Sequence, residues 1–139
     1  MPERKNPERA QARGHETILL VEDDHAVRIL IAQTLSQIGY RVLKAADGVE
    51  AMALSESYHG PIHLLVADVI MPQMSGPELV DRLTTARPNL KILYISGHPE
   101  EAIIRHGVLE AGVQFLPKPF TPENLVRKVR EVLDTASPS

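Results

Sequence analysis

Two uninterrupted apolar runs of strand length, each ending abruptly in acid, constrain this chain more than any other feature. Ile18-Leu19-Leu20-Val21 stops at Glu22-Asp23-Asp24, and Leu64-Leu65-Val66-Ala67 stops at Asp68. A strand that alternates apolar and polar residues leaves one face wet, whereas a strand apolar throughout must be covered on both faces. Both runs therefore read as central strands of a parallel sheet, with their acids at the carboxyl ends. In open parallel α/β sheets that edge is where ligands bind. Carboxylates gathered there repel one another unless a cation joins them, so the cluster predicts a hard divalent metal, Mg²⁺.

The rest of the chain repeats the alternation. Thr17 to Val21 is the first strand; Val27, Leu30, Ile31, Leu35 and Ile38 then recur at helical spacing, and Gly39 ends that helix. Arg41 to Ala45 is a second strand. Asp47 with Glu50 resembles a capping box opening a helix through Ala51, Leu54 and Ser55 that breaks near Gly60-Pro61. Ile62 to Ala67 is the third strand. After the loop from Met71 to Pro77, Ser75 and Glu78 cap a helix through Leu79, Val80 and Leu83 to Arg87. Leu90 to Ile95 is the fourth strand, Glu100 to Leu109 a loosely patterned helix, Val113 to Leu116 a short fifth strand. Thr121-Pro122 opens a final amphipathic helix carrying Leu125, Val129, Val132 and Leu133. Strands alternating with helices imply parallel pairing, right-handed crossovers and helices on both faces.

Composition excludes several classes. With 139 residues, 43% hydrophobic and 24% charged, the chain suits one domain, residues 15–135, flanked by a polar tail or linker (1–14) expected to be disordered and a short tail at 136–139. A net charge of -3 without a basic block argues against nucleic acid as a partner. The absence of cysteine excludes disulfides and thiolate metal sites. No apolar stretch approaches the roughly 20 residues that span a bilayer, and the start lacks a signal-peptide core, so a soluble cytoplasmic protein without membrane contact is expected.

Four ordered motifs resemble the receiver domains of two-component response regulators: Ile18 to Asp24, Asp68 to Pro72 followed by Met74-Ser75-Gly76, Ile95-Ser96-Gly97, and Lys118-Pro119-Phe120. The resemblance extends over about Glu16 to Asp134. It implies a flavodoxin-like (βα)5 doubly wound parallel sheet of strand order 2-1-3-4-5. It also makes Asp68 the phosphoacceptor, consistent with the capacity of aspartate to form an acyl phosphate. By the same resemblance Mg²⁺ is held by Asp23, Asp68 and the backbone carbonyl of Ile70, with Glu22 acting through metal-bound water. Asp24 is left to face outward or cap the first helix. Lys118 would meet a phosphoryl oxygen and, before phosphorylation, Asp68 itself, followed by a cis bond to Pro119. Ser96 matches the hydroxyl switch residue, and Phe115 a switching aromatic.

The implied input is a phosphohistidine on a histidine kinase or histidine phosphotransfer domain. Phosphorylation would add about -1.5 to -2 charges at Asp68, drawing Ser96 and Lys118 toward it and reshaping the surface from Gly97 to Gln114. The domain would supply much of the transfer catalysis and its own dephosphorylation, slowly, because Val69 and Ile70 offer no polar side chain to orient water. Gly14 to Leu19, Gly107 to Gly112 and Lys118 to Pro122 resemble receivers at the carboxyl end of hybrid histidine kinases. A stand-alone receiver, monomeric or weakly dimeric, is the other context. Three other functions remain in view: a phosphorylation-independent scaffold, a small aspartyl-phosphate phosphatase or phosphotransferase, and a flavin-binding domain. The enzyme would be expected to carry an acid/base residue where Ile70 stands, and flavin phosphate would meet acids after the first strand.

Blander roles attach to other residues. His59 and His63 are separated by Gly60-Pro61 and do not share a helical face for a metal; His25 belongs at the surface of the first helix; His98 borders the pocket mouth. Phe115 is as well explained by core packing as by switching. Met71 and Met74 read as loop packing, and Pro72 and Gly76 as backbone shape.

Overall fold

The computed structural model describes residues 15–71, 73–97 and 114–135. The expected tails, the helix at 100–109, and Pro72, His98 and Val113 lie outside the described residues. Five strands, β1 (Thr17–Val21), β2 (Arg41–Ala45), β3 (Leu64–Asp68), β4 (Lys91–Ser96) and β5 (Gln114–Pro117), form one parallel sheet in the order β2-β1-β3-β4-β5. Four helices are described: α1 (His25–Gln37), α2 (Gly48–Ser57), α3 (Gly76–Ala86) and α4 (Pro122–Leu133). The architecture is the flavodoxin-like one expected. None of these helices is long and apolar enough to cross a membrane.

Alternation along the buried strands builds two cores, because successive side chains point to opposite faces. Ile18, Leu20, Leu64 and Val66 meet Ile31 and Leu35 of α1 and Leu125 and Val129 of α4. Leu19, Val21, Leu65 and Ala67 meet Ala51 of α2 and Leu79 and Leu83 of α3. β1 and β3 are buried at every position, as runs apolar throughout require. Each fully buried leucine contributes about 2 kcal/mol of apolar burial.

Helix starts follow local chemistry. Asp24 Oδ1 accepts from Val27 N, Asp47 Oδ1 from Glu50 N, Ser75 Oγ from Glu78 N and Thr121 Oγ1 from Asn124 N, so each helix has a side-chain N-cap. Both boxes depart from the reciprocal pattern. Glu50 reaches Ala46 N at 2.8 Å, and Glu78 pairs forward with Arg82 at 3.1 Å. Gly39, at φ 106°, ends α1 in a conformation that costs glycine little. Arg87 closes α2: its guanidinium donates to Ser55 Oγ and to the carbonyls of Ser55, Tyr58 and Gly60.

Three strand boundaries differ from expectation. β3 begins at Leu64 because His63 interrupts the ladder: its N–H donates to Thr17 O at 2.9 Å, but its Nδ1, not a backbone carbonyl, accepts from Thr17 N. Leu90 belongs to a turn, with its N–H on Arg87 O, so β4 starts at Lys91 and extends to Ser96. β5 runs one residue further than expected, to Pro117.

Candidate functional site

Sheet register assembles the site. Val21 pairs with Ala67, so Glu22 and Asp68 emerge side by side; Asp68 pairs with Ile95, and Ser96 with Pro117, which places Lys118 beside them. Further hydrogen bonds hold these strand ends: Glu22 N to Ala45 O, Val69 N to Ile95 O, and Lys118 N to Ser96 O at 2.8 Å. The Lys118–Pro119 peptide is cis, as the resemblance implies.

Three carboxylates converge. One oxygen each from Glu22, Asp23 and Asp68 lies within 4.8 Å of the others. Glu22 is fully buried, Asp68 nearly so, and Asp23 exposed. Lys118 Nζ stands 2.9 Å from Glu22 Oε1 and 2.9 Å from Asp68 Oδ2. Asp24 N donates to Glu22 Oε2 at 3.0 Å, and Ile70 N to Asp68 Oδ1 at 3.1 Å. Asp24 itself caps α1 and stays out of the cup.

Burial pushes the Glu22 carboxyl above its ordinary range, and Asp68 adds repulsion; the nearby Lys118 ammonium and the hydrogen bond from Asp24 N offset only part of this. Burial alone would lower Lys118, but its bonds to Glu22 and Asp68 raise it, so the ammonium stays charged. Glu22 Oε1 has the ion pair but no well-directed hydrogen bond. A fully buried acceptor without a directed donor, among three hard oxygen donors, fits a small divalent cation or the water around one.

Ser96 is buried at the end of β4, with its carbonyl tied to Lys118 N. Phe115 is not in the cup: half-buried on β5, it pairs in register with Tyr94 and packs against the small core of Val69 and Tyr94. His25 is exposed at the start of α1, and Met71 and Met74 are buried against the second core. Sequence reasoning gave Lys118 to Asp68 and missed its equal approach to Glu22, which depends on strand register. It also assigned no task to Arg28, whose Nη1 donates to the Glu22 carbonyl at 2.7 Å.

Residues 18–130 match the family model of the response regulator receiver domain. The chain is 39% identical over 132 residues to the sensor kinase CckA of Brucella abortus (strain 2308), covering 95% of this chain and 14% of that protein. It is 34% identical over 119 residues to the response regulator receiver protein CpdR of the same organism, covering 86% of this chain and 98% of CpdR. Among solved structures, the receiver domain of the hybrid histidine kinase CckA aligns with a TM-score of 0.72 at 40% identity, over 85% of this chain and 99% of that one. The Vibrio cholerae chemotaxis protein CheY4 aligns with a TM-score of 0.71 at 28% identity, over 86% and 99%.

Proposed function

The chain belongs to the response regulator receiver domain family of two-component signalling, and on that premise we propose that Asp68 is its phosphoacceptor, served by a Mg²⁺ site and by Lys118 and Ser96. One arrangement carries the assignment: Lys118 Nζ is shared at 2.9 Å between Asp68 Oδ2 and Glu22 Oε1, beside the exposed carboxylate of Asp23. A nucleophilic carboxylate thus sits under a fixed cation at a strand end.

An Asp68 oxygen attacks the phosphorus of a phosphohistidine. A P–O bond forms as the P–N bond breaks, and the electron pair returns to the imidazole, leaving an acyl phosphate on Asp68. Ile70 N–H holds Oδ1 in place. Lys118 exchanges its Asp68 partner for a phosphoryl oxygen while keeping Glu22, and the Ser96 hydroxyl donates to another. Asp23, Asp68 and the Ile70 carbonyl would hold the cation, with Glu22 acting through water, and when bound it would neutralise phosphoryl charge. Phe115, half-buried beside Tyr94, would pack further inward and carry the change to the surface.

The donor in this reading is a histidine kinase or phosphotransfer domain, and the output is protein contact by a monomer or weak dimer in the cytoplasm. Covering 14% of the CckA kinase and 98% of CpdR, the chain is compatible with a receiver within a hybrid kinase or beside one. Intact-mass measurement after incubation with acetyl phosphate and Mg²⁺ tests the chemistry. One added phosphoryl group is expected in the wild type, absent from Asp68→Ala and from a metal-free control. Folded protein that gains no mass, or an adduct that persists in Asp68→Ala, overturns the assignment.

A further inference from the structure

Arg28 lies on the first turns of α1, and its guanidinium touches the backbone of the acid cup without touching the carboxylates. Nη1 donates to the Glu22 carbonyl at 2.7 Å, and Nη2 lies 3.0 Å from His25 Nδ1. A guanidinium only donates, so Nδ1 is the acceptor. The Glu22 carbonyl and the Asp23 N–H share one rigid, planar peptide unit. Fixing the carbonyl therefore fixes the orientation in which the chain enters Asp23. The flanking residues are anchored independently, Glu22 N–H on Ala45 O at 3.1 Å and Asp24 N–H on Glu22 Oε2 at 3.0 Å.

The three acids differ in what aims them. Glu22 and Asp68 are each held by Lys118, but Asp23 is exposed and has no share in that ammonium. We propose that Arg28 is a positioning residue: by clamping the Glu22–Asp23 peptide it aims Asp23 into the cup as a cation ligand. Because it binds a carbonyl, Arg28 adds positive charge near three acids while leaving every carboxylate oxygen available. Lys118 cannot do this, since it occupies two of them. The inference rests on the Mg²⁺ reading given above.

Calorimetric titration of the full chain with Mg²⁺ tests it, alongside thermal melts in chelator. Arg28→Ala is expected to fold and to bind Mg²⁺ about tenfold more weakly, the order seen when a partner behind a metal ligand is lost. Arg28→Lys, which can reach one carbonyl but cannot fork, falls between and carries the comparison if Arg28→Ala does not fold. In an Asp23→Asn background the Arg28 substitution has no further effect on affinity, which a general loosening of α1 would not produce. Unchanged affinity in folded Arg28 variants overturns the proposal, as does an equal loss in the Asp23→Asn background. A wild type that binds no Mg²⁺ overturns the site reading itself, and this inference with it.

Discussion

Glu22 Oε1 and Lys118 Nζ meet at 2.9 Å, joining the end of the first strand to the residue after the last. Glu22 has no access to solvent, so the ammonium is its main compensation. Lys118→Met is expected to cost about 3 kcal/mol in metal-free protein, because one partner of a buried pair leaves the other charged and uncompensated. Protonation of Glu22 limits that cost, as its carboxyl already sits above the ordinary range. Millimolar Mg²⁺ should narrow the gap, since a cation among the acids takes over the missing charge. Urea unfolding of both proteins with and without Mg²⁺ reads this directly. Equal stability without metal would show that Lys118 contributes nothing to holding the acids together.

A second ion pair sets the acid limit of the fold. Arg130 of α4 holds Glu16, just before β1, at 2.8 Å, and also reaches Asp134 and the Tyr40 hydroxyl. Burial alone would raise Glu16, but hydrogen bonding from Arg130 and from backbone N–H groups prevails and lowers it from 4.5 to about 2. A carboxyl depressed in the folded state stabilises it above the unfolded pKa and loses that contribution as pH falls from 4.5 toward 2. Allowing for solvent around a partly exposed pair, Arg130→Gln should cost about 2 kcal/mol at pH 7. The difference between wild type and variant should shrink across that acid window. A gap that stays constant from pH 7 to pH 3 would assign it to lost packing of the Arg130 stem.

What the sequence made legible was what short-range chemistry decides. Continuous apolar runs named the central strands, and Asp24, Asp47, Ser75 and Thr121 marked helix starts because a side-chain oxygen two or three residues ahead of free N–H groups has few better uses. Asp68, Asp23 and Glu22 were legible as acids at strand ends, whereas Lys118 joined them only through the motifs that resemble receiver domains, which also supplied the strand order. Less legible were contacts that depend on register or on side-chain reach. His63 replacing a backbone acceptor for Thr17 looks in sequence like any strand residue. Arg87 gathers Ser55, Tyr58 and Gly60 across more than twenty-five residues, and Arg28 reaches back to a carbonyl rather than to an acid. Neither leaves a pattern that charge or periodicity alone would reveal.

Gly76 shows how closely the loop after Asp68 is pressed against the helix that follows. A Cβ there would lie 2.6 Å from the Asp68 carbonyl oxygen and 3.0 Å from Val69 Cα, and Gly76 N–H donates to Val69 O at 2.8 Å. The obstacles are backbone atoms, which cannot rotate away. Gly48 offers the contrast: its added Cβ would meet the Met74 side chain, 2.7 Å from Sδ, which another rotamer can move, and 3.1 and 3.2 Å from Cβ and Cγ, which need shift by only a few tenths of an ångström. Gly76→Ala should therefore cost about 2 to 3 kcal/mol by overpacking and displace the Asp68 backbone. Gly48→Ala should stay within about 1 kcal/mol, helped by the better helix propensity of alanine in α2. Urea midpoints give the stabilities, and the rate of mass gain with acetyl phosphate reports on Asp68. Gly76→Ala is expected to label more slowly than wild type under saturating Mg²⁺, and Gly48→Ala at close to the wild-type rate. If both alanine variants unfold and label alike, the approach of α3 to Asp68 places no special demand on residue 76, and the loop holds its acceptor by other contacts.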